Sequence, residues 1–320
     1  MIATVPKIFL DTAHLIKISK LRKGAELSEE IRSAYALIDE SIRNWKCGLI
    51  FSPAGPMEWV DGDATLESAY EIADVVESAK LQYESEMDKF IYLRELLCEV
   101  KRVSPSLELP DFETLFVRVR GGAIERAMWI LAEQIPSYFD PGEIMDDSLP
   151  LPIAIPFSPI REHAQRAWHL KVTHPTVYRE RVEGFHAAYA IDRAALNSRT
   201  VKKYSKQEVC EWMKRYLKID RIVKARDARV VVDDLLERID LSKCPAINLF
   251  MKARSKRVRN EPTAKDNDVE DWHYIAIVPH ADVFLTERNL RNYIHQAEPQ
   301  LVNRVTDCPI KAVQLLSDCF

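Results

Sequence analysis

Residues 267–289 read NDVEDWHYIAIVPHADVFLTERN, and the folding of this stretch decides the rest. Asp268, Glu270, Asp271, Asp282 and Glu287 are acidic, yet the runs YIAIV and DVFLT beside them are apolar enough to be core. Residues 268–278 read as a helix with carboxylates in its first turn, where the helix dipole favours them. PHA reads as a turn, DVFLT as a buried strand, and a further helix starts near Asn289. Carboxylates at the ends of core elements are either caps and solvated edges or a set that converges on something positive.

Working outward, KIFLD (7–11) and GLIFS (48–52) are short, continuous apolar runs of the kind that parallel sheets bury on both faces. Between them, SEEIRSAYALIDESIRNW (28–45) starts at Ser28 and repeats Ile31, Tyr35, Ile38 and Ile42 at helical spacing. Residues 66–100 are rich in Glu, Lys, Ala and Leu and read as one long helical pattern. Near the end, IKAVQLLSDCF (310–320) reads as a last strand and a terminal helical turn. The order strand, helix, strand, helix predicts an α/β fold, a parallel sheet layered between helices.

Residues 104–245 differ. Proline-rich turns at 105–110, 136–141 and 150–159 separate helical segments such as GGAIERAMWILAEQI (121–135) and SKQEVCEWMKRYL (205–217). DARVVVDDLLERIDL (227–241) reads as a helix or as a strand running into one. The expectation is a discontinuous core, 1–103 and 246–320, carrying a largely helical insertion at 104–245. His163, His169, His174 and His186 fall at intervals that make no HxxxH or HExxH pair, so no histidine metal site is expected there.

Composition narrows the function. The formal charge of −4 gives no overall attraction to nucleic acid or acidic membranes, so any such binding comes from local patches. Only eight glycines favour a helix-rich architecture over a loop-dominated β fold. Six scattered cysteines without a CxxC pair read as reduced thiols of a cytoplasmic protein. MIATVPKIFLDT is too short an apolar run for a signal peptide, and prolines break LPLPIAIPFSPI (149–160), so no membrane contact is expected.

In a parallel sheet the crevice beyond the C-terminal strand ends is the natural site. Asp11 ends the first strand, Glu58 follows the second, Asp271 heads a helix and Glu287 follows DVFLT, all on that rim. Asp268 lies three residues before Asp271 on the same helix face. Asp282 begins its strand instead, and a chain entering from the far side would put it away from the others.

This spacing resembles the PIN-like nucleases. FLDT (9–12) looks like their first motif, SPAGPMEW (52–59) like the second, and DWHYIAIVPHADVFLTERNL (271–290) like the third and fourth. The resemblance covers roughly 6–62 and 265–292. It implies a three-layer PIN-like core and metal-dependent endonucleolytic hydrolysis of phosphodiesters, of RNA more than DNA. It also implies Mg²⁺ or Mn²⁺ held by Asp11, Glu58, Asp271 and Asp282, with Glu287 a further catalytic acid. The fourth acid departs from the pattern, because Arg288 stands two residues after Thr286 and only Glu287 or Asn289 can replace it. His273 and Thr286 are expected to orient or cap.

The chemistry needs such residues. A divalent ion lowers the pKa of bound water and clamps the attacking and leaving oxygens. Magnesium takes hard oxygen ligands and keeps several waters, so a few carboxylates suffice. Without a cation, carboxylates about 5 Å apart repel by roughly 3 kcal/mol per pair at an effective dielectric of 20. A polyanionic substrate also needs positive contacts, and MKARSKRVRNEPTAK (251–265) offers Lys252, Arg254, Lys256, Arg257, Arg259 and Lys265. Two other readings use the same residues: a catalytically degenerate PIN-like module that binds nucleic acid or protein, and a metal-dependent phosphatase or nucleotidase. The insertion is also a candidate surface for a protein partner or a second copy.

Overall fold

Three apolar runs of three or four residues make the centre of the sheet. The computed structural model describes residues 5–52, 54–85, 87–110, 116–118, 130–131, 133–139, 160–199, 203–266 and 268–319. Its strands are β1 (Lys7–Leu10), β2 (Gly48–Phe51), β3 (Gln82–Ser85), β4 (Phe116–Arg118), β5 (Val283–Leu285) and β6 (Val305–Thr306). They form one sheet in the order β4-β3-β2-β1-β5-β6. All neighbours are parallel except β3 and β4, which pair antiparallel at one edge.

Along the chain the helices are α1 (Thr12–Arg22), α2 (Glu29–Arg43), α3 (Gly55–Trp59), α4 (Leu66–Glu77), α5 (Asp88–Val103), α6 (Ile160–Thr173) and α7 (Pro175–Asn197). They continue as α8 (Lys206–Leu217), α9 (Ile219–Arg226), α10 (Val232–Glu237), α11 (Pro245–Asn260), α12 (Asp268–Ile275), α13 (Arg288–Ala297) and α14 (Pro309–Ser317).

Strand alternation sends side chains to two layers. Ile8, Leu10, Leu49, Phe51, Val283 and Leu285 face one, packed with residues of α1, α2, α4, α6 and α14. Phe9, Ile50 and Phe284 face the other, packed with residues of α5 and α7–α13. Phe9 stacks on Phe284 with ring centroids 4.6 Å apart. The result is a three-layer α/β fold whose sheet has five parallel strands and one antiparallel edge strand.

The 104–245 segment joins both layers. Ile160, Ala164 and Ala167 of α6 pack under α4, while α8, α9 and α10 fill the opposite layer. Arg161 pairs with Asp74 of α4 at 2.6 Å, and Lys171 Nζ donates to the carbonyls of Val60 and Gly62 at 2.5 and 2.6 Å. A helix of the insertion thus anchors the chain just beyond α3. GGAIERAMWILAEQI and the turn at 150–159 lie mostly or wholly outside the described residues.

Two expectations are corrected. The 66–100 pattern is two helices with β3 between them; Gln82–Ser85 has little apolar character, so the strand escapes a periodicity reading. Tyr83 of β3 lies so close over Gly48 that a Cβ there would come within 2.2 Å of its ring. The last strand is Val305–Thr306, and residues 309–317 are helical throughout. Of the two readings of DARVVVDDLLERIDL, the helix holds, over Val232–Glu237.

Candidate active site

The strand order reverses between β1 and β5, and Asp11 stands there. Its N–H donates to Leu285 O at 3.0 Å, carrying the β1–β5 ladder one step past the strand. Its side chain then turns back as the N-cap of α1, accepting from Ala13 N at 3.3 Å. Oδ2 accepts from Thr286 Oγ1 at 2.7 Å and from the Glu287 N–H at 3.2 Å. Asp11 and Thr286 are 2% and 0% exposed, so hydrogen bonds and not water fix this carboxylate.

Glu58 reaches the same place from α3, a short helix opened by Pro56. Its Oε2 accepts from Thr12 Oγ1 and Tyr274 OH, both at 2.5 Å. Thr12 is the residue after Asp11, and Tyr274 packs on Phe9 with ring centroids 5.0 Å apart. Burial, and then the charge of Asp11, hold the Glu58 carboxyl well above the usual range, while its two donors pull the other way.

Asp271 comes from the first turn of α12. Arg257 of α11 donates through Nη1 to Asp271 Oδ2 at 3.0 Å and through Nη2 to Asp268 Oδ1. The guanidinium lies 5.6 Å from the ring centroids of both Trp272 and Tyr293 and is almost wholly buried. Burial pushes the Asp271 carboxyl up to about 7; Arg257 opposes that rise and the charge of Asp11 adds to it. Burial also raises Asp268, despite the Lys265 N–H that donates to its Oδ2 at 2.7 Å.

Asp11, Glu58 and Asp271 therefore share one neighbourhood, where the charges of Asp11 and Asp271 bear on Glu58 and that of Asp11 bears on Asp271. Glu287 sits at the rim as the N-cap residue of α13, exposed, and its carboxyl is raised by partial burial and by Asp11. Asp282 is a correction. Its carboxylate accepts from Lys7 N at 2.7 Å and its own N–H donates to Lys7 O at 3.0 Å, at the N-terminal edge of the sheet. In a parallel pair, residues that open the strands lie at the opposite end from those that close them, so Asp282 is no part of this cluster.

The basic run is also not the free surface its composition suggests. Lys252 pairs with Glu298, Arg254 with Asp192, and Arg257 with Asp268 and Asp271. Arg259 Nε donates to Ser255 O at 3.2 Å, and Lys256 is half-buried. Arg257 in particular is an internal countercharge, not a phosphate contact.

Sequence reading missed Thr12 and Tyr274, which carry Glu58. Thr12 directly follows the strand-ending Asp11 and Tyr274 lies three residues past Asp271, so both had a positional signal. His273 points elsewhere, its Nδ1 lying 2.9 Å from Asp88 Oδ1.

The donor set suits a hard divalent cation. Both hydrogen bonds to Glu58 fall on Oε2, and the one to Asp271 falls on Oδ2. Among the described residues no donor reaches the second oxygen of either. Among the same residues, no three or more His, Cys, Asp or Glu lie together closely enough to hold a metal ion. The residues thus fit a cation by chemistry and not as a preformed cage. No protein family, curated protein or solved structure matches the chain.

Proposed function

We propose that this chain is a metal-dependent endonuclease with a PIN-like core, hydrolysing RNA in preference to DNA. The observation that carries the reading is the meeting of Asp11, Glu58 and Asp271, from three distant segments, at the reversal point of a parallel sheet. Such a point is where open α/β sheets place their ligands. Asp11, Glu58 and Asp271 would hold the cation, which supplies an activated water and charge neutralisation at the phosphate. Thr286 and the Glu287 N–H hold Asp11, Thr12 and Tyr274 orient Glu58, and Arg257 steadies Asp271.

A second reading has its own support. Arg257 already answers the charge of Asp271 and Asp268, which suits a catalytically degenerate PIN-like module that binds without cleaving. One experiment separates the two. Labelled single-stranded RNA and DNA are incubated with the protein in Mg²⁺, Mn²⁺ or EDTA, beside Asp11→Asn and Asp271→Asn. Metal-dependent cleavage lost in both variants supports the nuclease. Salt-sensitive binding without cleavage supports the degenerate module, and cleavage that survives both substitutions removes these acids from the mechanism.

A further inference from the structure

Buried carboxylates repel a polyanion, so a nuclease site needs cations at its mouth that are not already spent on the protein's own acids. In the 251–259 run, Lys252, Arg254 and Arg257 fail that condition, Lys256 is half-buried and Arg259 is bonded back to Ser255 O. Two others meet it. Lys17 lies on α1, three residues past His14, and so on the same helical face. That face looks at the end of β5, because His14 Nε2 lies 3.2 Å from Thr286 O. Lys265 comes from the segment before α12, where its backbone N–H donates to Asp268 Oδ2 at 2.7 Å, three residues before Asp271. Both lysines are exposed, and among the described residues neither ammonium has an ion pair or hydrogen bond.

We infer that Lys17 and Lys265 are the phosphate contacts of the site, gripping a single-stranded polynucleotide backbone on either side of Glu287. Glu287 directly follows Thr286, whose carbonyl is the His14 contact, while Asp268, which takes the Lys265 N–H, shares the Arg257 guanidinium with Asp271. The exposed acid between them keeps the mouth from binding anions indiscriminately, while the two ammonium groups meet a phosphodiester chain before it reaches the buried carboxylates. This assignment rests on the nuclease reading, and it moves the nucleic-acid contact away from α11.

The test is equilibrium binding of a labelled single-stranded oligonucleotide, RNA and DNA in separate arms, in EDTA so that nothing is cleaved. Binding is titrated over a range of salt for the native chain, Lys17→Ala, Lys265→Ala, the double variant and Lys252→Ala. Each phosphate contact removed lowers the slope of log K against log salt by about 0.7 for a single strand. The double variant should therefore lose about 1.4 from the slope, and Lys252→Ala, whose ammonium is already paired, should lose none. An unchanged slope in the double variant overturns the assignment, as does the absence of salt-sensitive binding by the native chain. A parallel assay with bis(p-nitrophenyl) phosphate separates the two layers of the argument. Metal-dependent, Asp11-dependent hydrolysis of that small diester alongside an unchanged slope rejects the lysines and keeps the acid site. Loss of both rejects the nuclease reading with them.

Discussion

Thr286 Oγ1 donates to Asp11 Oδ2 at 2.7 Å, joining the ends of β5 and β1 where the strand order turns back on itself. Both residues are buried, so Thr286→Val leaves one oxygen of a buried carboxylate without its side-chain donor. The expected cost is about 1–3 kcal/mol in urea denaturation, with a fall in metal-dependent hydrolysis because Asp11 is no longer held. Full activity in Thr286→Val would show that the threonine is only a packing residue.

Arg257 balances two buried acids. Arg257→Met strands Asp268 and Asp271 without their guanidinium and should destabilise the chain by about 3–5 kcal/mol. Arg257→Lys should recover little of this, since one ammonium cannot reproduce a planar fork that reaches both carboxylates. Equal stability of the Lys variant and the native protein would contradict the two-handed geometry.

The pH dependence follows from Asp271. Its carboxyl rises from an ordinary 3.8 to about 7 in the folded, metal-free chain. Between those values the folded state holds a proton that the unfolded state has released. Stability contributed by this group therefore falls as pH rises through that window and is fully present below it. Asp271→Asn should flatten that part of the stability profile, measured by denaturation in EDTA from acidic to neutral pH.

Asp282 supplies the opposite control. Its carboxylate serves the backbone of Lys7 at the far edge of the sheet. Asp282→Ala should cost about 1 kcal/mol of stability and leave hydrolysis unchanged. A large loss of activity at constant stability would return it to the site.

A cation that binds only the folded chain raises its melting temperature, and the more so the further its concentration exceeds its Kd. Mn²⁺ should raise the melting temperature of the native protein and have little effect on Asp11→Asn. An identical shift in both would mean that the ion binds elsewhere.

What could be read from the sequence depended on how loudly each element announces itself. KIFL, GLIF and VFL are continuous apolar runs, and all three are central strands. Gln82–Ser85 carries mostly polar side chains between two strong helices, and nothing in its periodicity marks it as a strand. The acids were legible because a carboxylate at the end of an apolar run is conspicuous. Of their partners only Thr286 was expected to orient or cap, since Thr12 and Tyr274 are ordinary core residues until the fold sets them beside Glu58. Arg257 was noticed for the wrong reason. A charge run says that cations are present, and only packing says that one of them faces inward.

The two sides of the site also differ in how far apart their parts lie along the chain. Arg257 and Asp271 are 14 residues apart, whereas Asp11 and Thr286 are separated by 275. Closing the longer loop costs roughly 2.5 kcal/mol more in chain entropy. The arginine–aspartate side can form from one local helix pair, but Asp11 gains its partner only after β5 has been made. A growing chain thus carries Asp11 without its Thr286 partner until β5 has been made and has docked beside β1, and only then do the two sides of the cluster meet.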